Sequence, residues 1–284
     1  NNLPFPYGNN EPKDTVFANV DYSKLTAAVN NAFDSKGQKK KRSRAVLVIY
    51  KDHIIAEKYD TGFTKNSKIL GWSMTKSITA TLFGILQKQG KYDINKPAPI
   101  PEWQKDERKK ITTNDLLHMN SGLEWEEAYD KICDATKMLF IAEDMGRVQL
   151  EKPAAFAPNT HWNYSSGTSN LLSYILRKQF KTHQEYLDFW YAQLIDRIGM
   201  HSMLIETDMV GNYVGSSYGW ATARDWAKFG LLYLHKGNWN GDQVFDPSWE
   251  NYVSTPTNDS KEGYGAHFWL NAGGHFPAAP RDMY

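Results

Sequence analysis

Trp72-Ser73-Met74-Thr75-Lys76-Ser77 opens an apolar run that continues through Ile78, Ala80, Leu82, Phe83, Ile85 and Leu86 to Gln89. Apolar residues on nearly every side predict a helix buried in the middle of a domain rather than laid on its surface. Lys76 follows Ser73 by one turn on the same face, so its amine can touch the serine hydroxyl. An ammonium among apolar neighbours is costly, and desolvation lowers the lysine pKa toward a value where the neutral amine accepts a proton. Serine is a poor nucleophile without such a base. At the helix N-terminus Ser73 also has a free backbone N–H and the positive end of the dipole, both suited to a developing oxyanion. Taken alone, these residues fit better an N-cap serine followed by a lysine snorkelling to water, because so short a motif recurs by chance.

Composition narrows the function classes. The chain has 284 residues, 41% of them apolar, which suits one large domain or two lobes sharing a core. Ten Trp and sixteen Tyr fit aromatic-lined clefts and a large core equally well. A net charge of +1 gives no electrostatic case for nucleic acid or an anionic membrane. The basic cluster from Lys39 to Arg44 reads as a solvated approach to the first strand. No apolar stretch is long enough to cross a bilayer. With Cys133 as its single cysteine, the chain has no internal disulfide and no thiolate metal cluster. The neighbours of Cys133 form no nucleophile turn, so a partly buried, inert thiol is expected. Eight scattered His, with no H-x-x-x-H pair and no Gly-rich phosphate loop, predict neither metal nor organic cofactor. The chain opens at Asn1 without a signal-like run, so any export signal is expected to have been removed or left out.

Patterning supplies the remaining elements. Residues 1 to 23 are polar and Pro/Asn-rich, an extended arm, and residues 24 to 33 fit a short amphipathic helix. The runs 45 to 50 and 54 to 59, joined at Lys51-Asp52-His53, predict a β-hairpin. The Ser73 helix should end near Gly90, a left-handed cap. A short helix capped at Thr113 should stop at Ser121-Gly122. Residues 123 to 163 are aromatic, charged and Pro-punctuated, the wall or lid of a site, with a helix around 133 to 150. Trp125 and Tyr129 should wall the cleft. Helical spacing marks 168 to 180 and 184 to 198, and Thr222-Ala223-Arg224-Asp225 fits a looser acidic capping box opening a helix to His235. Asp246-Pro247 starts one more short helix, and Gly265 to Asn271 reads as a strand. An α/β fold with an antiparallel sheet built from both chain ends and an inserted helical lobe is expected. The divisions are an arm over 1–43 and a domain over 44–284, with sheet parts at 44–75 and 256–284 and the lobe at 76–255.

A second constellation, Tyr164-Ser165-Ser166, precedes the helix that carries Leu171 and Leu172. A tyrosine at such a junction can reach into a cleft, and a neighbouring cationic lysine lowers its pKa enough for proton transfer. Four blocks then stand in one order: Trp72 to Ser77, Ile111 to Leu123 (ITTNDLLHMNSGL), His161 to Gly167 (HWNYSSG) and Gly219 to Tyr233 (GWATARDWAKFGLLY). Together they resemble the serine β-lactamase/penicillin-binding-protein superfamily, from about residue 44 to the end. They look most like the branch holding 6-aminohexanoate-dimer hydrolases and family VIII esterases. The resemblance implies Ser73 as acylated nucleophile, Lys76 as its base, Tyr164 as proton relay and the Ser73 N–H as one oxyanion donor, the known logic of the S-x-x-K motif.

Two departures shape what the resemblance implies. Class C β-lactamases and carboxypeptidases carry Tyr-x-Asn, whose Asn amide helps hold the substrate. Here Ser166 stands in that substrate-binding place, shorter and with a single donor. The family's third motif, Lys-Thr-Gly or His-x-Gly, is absent; His267-Phe268-Trp269 and His275-Phe276-Pro277 do not match it. The sequence is therefore expected to be a fragment of a longer protein, because every earlier motif retains its chemistry; the alternatives are that another chain supplies the remainder or that the protein is not an active hydrolase. The function implied is a serine hydrolase, a carboxylesterase or amide hydrolase acting on a small-molecule ester or amide through an acyl-enzyme. The alternatives are a D-Ala-D-Ala carboxypeptidase or β-lactamase, or a non-catalytic ligand-binding protein that keeps the fold. A periplasmic or otherwise extracytoplasmic location is expected, with the cytoplasm as alternative.

Overall fold

The protein is described by a computed structural model covering residues 3–8, 10–36 and 40–284. Part of the basic cluster, Lys39, lies outside these residues. Helix α1 spans Tyr22–Asn31, started by the Asp21 carboxylate, which accepts from the backbone N–H of Ser23 and Lys24. Strands β1 (Ala45–Tyr50) and β2 (His53–Tyr59) form the expected antiparallel hairpin, Ala45 facing Tyr59 and Tyr50 facing His53. Its two turn residues, Lys51 and Asp52, both have positive φ (48° and 64°), the twist that a two-residue hairpin turn requires. Every residue of both strands is half-buried. Among the described residues β1 and β2 pair only with each other, so each has an open outer edge.

β3 (Ile69–Leu70) then leads into α2 (Met74–Lys88), the predicted central helix. Ile78, Leu82, Phe83 and Ile85 are completely buried, each side chain contributing roughly 1.5–3 kcal/mol. Gly84 admits the Trp249 ring, which would stand 2.6 Å from a Cβ there, and Gly90 has φ +66°, the expected left-handed end. At the entrance the sequence reading is corrected: Trp72 and Met74 are about half exposed, because they flank an opening instead of facing the core.

The helical body follows. α3 (Thr113–Leu117) is capped by Thr112, not Thr113, through a reciprocal box with Asp115. The single helix expected around 133 to 150 is two, α4 (Asp134–Phe140) and α5 (Met145–Leu150). The break comes where Asp144 turns its carboxylate to the Arg147 N–H at 3.1 Å and starts a new helix. α6 (Ser166–Arg177) is buried nearly all round and packs against α2, α3, α4 and α5. α7 (His183–Trp190) runs on into a π-helical turn over Tyr191–Ile195.

β4 (Leu204–Ile205) and β5 (Gly219–Ala221) join β3 in a small antiparallel sheet, order β3-β5-β4. α8 (Ala223–Leu234) begins at Thr222, whose hydroxyl accepts from the Asp225 N–H. The expected box is only half made: the Asp225 carboxylate turns to Ser202 N (2.8 Å) and Oγ (2.6 Å) and to Lys228 (2.9 Å). α8 clamps the hairpin through Arg224, bidentate on Glu57 (2.8 and 2.7 Å), and through His235, 2.6 Å from Asp52. A second small hairpin, β6 (Asn238–Trp239) and β7 (Asp242–Gln243), precedes α9 (Ser248–Ser254).

The α/β class, with antiparallel sheets and a helical body, is as the sequence implies. The run Gly265 to Asn271 is not a strand. His267 adopts φ 62°, which breaks an extended path, and Gly265 N bonds Phe268 O at 2.9 Å to close a turn bridged by Tyr264 and Trp269. The sheet residues of the hairpin therefore gain no partner from this end of the chain.

The β3–β5 pairing fixes the start of α2. Gly71 N donates to Gly219 O at 2.8 Å, and a Cβ on Gly71 would meet the Trp226 ring at 2.2 Å. Gly71→Ala is expected to cost about 1–3 kcal/mol in urea unfolding, by overpacking against Trp226. An unchanged midpoint would show that the indole yields freely. Directly after Gly71, Trp72 takes a left-handed φ of 46° and turns the chain so that Ser73 heads the helix.

Candidate active site

Ser73 is half-buried at the N-cap of α2, in a helical conformation. The N–H groups of Met74, Thr75 and Lys76 turn back to the carbonyls of Gly71, Trp72 and Ser73. The Ser73 N–H takes no acceptor among the described residues, leaving a donor of the kind the sequence anticipates. One turn on, Lys76 is 1% exposed. Its Nζ lies 3.2 Å from Ser73 Oγ, 3.0 Å from Ser166 Oγ and 2.9 Å from the Ser216 carbonyl oxygen. Burial pulls its pKa down to about 8, against the opposing charge of Glu127. An amine that close to neutrality, touching a hydroxyl, is the arrangement in which the hydroxyl can be activated.

Tyr164 lies against the same pair. Lys76 Nζ is 5.0 Å from its ring centroid, and the Ser73 side chain is near enough to pull its pKa downward. The expected fall in its pKa does not occur. Burial raises the phenol to about 12; Ser73 and Trp269 oppose the rise, while the Glu127 charge adds to it. Burial wins because the phenolate would lose more hydration than its few polar neighbours return. The reading of Tyr164 as a neutral, hydrogen-bearing group follows from that direction.

The irregular turn at 264 to 269 supplies an aromatic wall in place of a strand. Trp269 lies tilted on Tyr164 with centroids 5.1 Å apart, and Tyr264 meets both rings edge-on at 5.8 and 5.0 Å. Trp269 is 56% exposed and forms the outer lip. His267 turns inward: its ring nitrogens sit 2.6 Å from Leu117 O and 2.9 Å from Ser169 Oγ. Burial drives its pKa down to about 3, so it braces α3 and α6 as a neutral ring.

The three residues read from the sequence as substrate-binding meet at a fourth that was not singled out. Glu127 accepts from Trp125 Nε1 (2.5 Å), the Tyr129 hydroxyl, Ser166 N (2.8 Å) and Ser166 Oγ (2.5 Å). Trp125 is 8% exposed and Ser166 fully buried, whereas Tyr129 is 63% exposed at the rim. Ser166 thus sits between Lys76 and Glu127, with both its N–H and its hydroxyl engaged. A signal was present: Trp125, Glu127 and Tyr129 alternate, and in extended chain such residues share one face. Ser216, a backbone acceptor, left no trace in side-chain chemistry. Cys133 is buried beside Ala128 and Thr136, in the small apolar cluster that also holds Trp125.

The Beta-lactamase family profile matches residues 29–277. This chain belongs to the beta-lactamase family. Solved structures with the same beta-lactamase-family fold include a Bacillus anthracis protein assigned as a 6-aminohexanoate-dimer hydrolase, with 20% identity and a TM-score of 0.71 over 87% of this chain and 67% of that one. A Bacteroides dorei protein assigned as a beta-lactamase matches at 17% identity and TM-score 0.71, over 88% and 79% of the two chains. A D-stereospecific amidohydrolase from Streptomyces sp. matches at 17% identity and TM-score 0.56, over 75% and 73%. No curated protein matches the chain. Among the described residues of this beta-lactamase-family chain, no helix is long and apolar enough to cross a membrane.

Proposed function

We propose that the chain is a serine hydrolase that cleaves a small ester or linear amide through a covalent acyl-enzyme on Ser73. The observation that carries this reading is the buried Lys76 amine, with a pKa of about 8, held 3.2 Å from Ser73 Oγ. Neutral Lys76 takes the Ser73 proton as Oγ attacks the carbonyl carbon. The Ser73 N–H stabilises the oxyanion that forms. Tyr164, kept protonated by burial, gives its hydrogen to the leaving oxygen or nitrogen and is reprotonated from Lys76. Water then gives a proton to neutral Lys76 as it attacks the acyl carbon; the bond to Ser73 Oγ breaks, and Lys76 returns the proton to that oxygen as the acid leaves.

The substrate class is read from the walls. Trp269 and Tyr164, backed by the buried Tyr264 ring, offer apolar faces, which suit a hydrophobic ester or the apolar chain of an amide. The names of two neighbours, a 6-aminohexanoate-dimer hydrolase and an amidohydrolase, support amide-bond cleavage. Ser166 is fully engaged by Lys76 and Glu127, which argues against the amide-holding role that an Asn has in Tyr-x-Asn enzymes. Work outside the cytoplasm is part of the proposal, to be checked by cell fractionation.

A fluorophosphonate probe should label Ser73, with the adduct located by mass spectrometry. An unlabelled Ser73 in folded protein would favour a ligand-binding protein that keeps the fold. In a comparison of turnover, a short-chain aryl ester should exceed both nitrocefin and a D-Ala-D-Ala peptide in kcat/KM. Faster nitrocefin turnover would instead make this a β-lactamase.

A further inference from the structure

We propose that Glu127 is a positioning residue: acting through Ser166, it aims the lone pair of the neutral Lys76 amine at the Ser73 hydroxyl. The proposal rests on the reading of Ser73 as nucleophile and Lys76 as its base. It follows from counting hydrogens. Ser166 has one hydroxyl hydrogen, and it goes to Glu127 Oε1 at 2.5 Å. Toward Lys76 Nζ, 3.0 Å away, Ser166 Oγ can then only accept. The Ser216 carbonyl, at 2.9 Å, can only accept as well. Two amine hydrogens are thereby claimed. In the ammonium form the third N–H points at Ser73 Oγ, 3.2 Å off. When that proton leaves, the lone pair takes its place, facing the hydrogen it must remove.

Without the carboxylate the same three groups have a second arrangement. Ser166 could turn its hydrogen to the lysine lone pair and the amine could rotate an N–H toward Ser73, an unreactive pairing. Glu127 removes that option, and it is itself held still by the Trp125 indole and the Tyr129 hydroxyl. Its charge also opposes the effect of burial on Lys76. Serine at 166 makes both contacts through one atom: Oγ donates its single hydrogen to Glu127 and accepts from Lys76. The sequence departure at this position thus acquires a physical reason.

The test is the pH profile of Ser73 acylation by an activated aryl ester, followed as burst rate over roughly pH 5 to 10. In Glu127→Gln the amide can donate to Ser166 Oγ and free its hydrogen. The high-pH plateau is expected to fall about 10- to 100-fold, the cost of a misdirected base. The rising limb should move to lower pH, since a charge that favoured the ammonium is gone. Ser166→Ala should lower the plateau similarly, and the double variant should lose no more than Ser166→Ala alone. A plateau within about twofold of wild type in either folded single variant overturns the proposal, as does a double variant showing the product of the two losses. Should Glu127→Gln fail to give a cooperative thermal melt, Ser166→Ala, which removes one oxygen, decides by its plateau alone. Absence of Ser73 acylation in the wild-type protein would be a failure of the hydrolase reading, seen before any variant is made, and would take this proposal with it.

Discussion

Ser73→Ala is expected to abolish acylation and to lower turnover of an aryl ester by at least about a thousandfold, the scale seen when a nucleophile that works as part of a unit is removed. The loss should fall in kcat, because alanine at the N-cap leaves the Trp269 and Tyr164 faces and the backbone N–H of residue 73 in place to bind substrate. Stability should hardly change: Ser73 makes no side-chain capping bond to α2. Intact-mass spectra of protein mixed with substrate should show an acyl adduct in the wild type and none in the variant. Turnover that persists in folded Ser73→Ala would assign the chemistry to another group.

The second large effect belongs to Lys76 and is a pH effect. Acylation requires its neutral amine, so the rate should climb with pH and level off above about 8. The same shift bears on folding. Below about pH 8 the lysine is charged in both states and the native state carries the full cost of burying it. Between about 8 and the ordinary lysine value of 10.5 the native state has released a proton that the unfolded chain keeps, so stability rises with pH. Above 10.5 neither state is charged and the cost is gone. The fall from 10.5 to about 8 corresponds to roughly 3 kcal/mol. Lys76→Met removes the titrating group while nearly keeping its volume. The stability of this variant relative to wild type should therefore be most favourable at pH 6 and worsen by about that amount at high pH, in paired urea titrations. A difference that stays constant with pH would mean that the lysine titrates normally. Kinetically Lys76→Met should lose the burst.

What the sequence disclosed and what it hid divide along physical lines. The contact between Ser73 and Lys76 was legible because helix geometry alone brings residues three apart together. The hairpin was legible from two β-branched runs around a short turn. Tyr164 came from resemblance, since no local rule joins it to Ser73. Glu127 went unread because its importance lies in four donors on three residues, one of which, Ser166, comes from a distant stretch of chain. The left-handed turns at Trp72 and His267 were hidden for another reason: positive φ is uncommon outside glycine, and no Gly or Asn marks either position in the sequence. The second of these turned an expected strand into the aromatic lip of the cleft. Tyr164 shows a misjudged balance, where the charge of a neighbouring lysine was weighed and the loss of water was not.

The hairpin has a consequence for how the protein behaves in bulk. Among the described residues, the outer edge of β1 presents backbone donors and acceptors without a strand to receive them, close to the half-exposed Trp72 and Met74. Such an edge is where molecules of one protein pair when they are concentrated. Overall charge offers little resistance, at +1 for the whole chain. Local charge does: Arg42 and Arg44, both exposed, stand at the head of β1 and line the groove beside it with Leu47, Ile69 and Trp226. Repulsion between such cations reaches only about 8 Å at physiological ionic strength and shortens as salt is added. Arg42 and Arg44 thus place like charge beside the edge of β1 that is open among the described residues, and added salt shortens the reach of that charge.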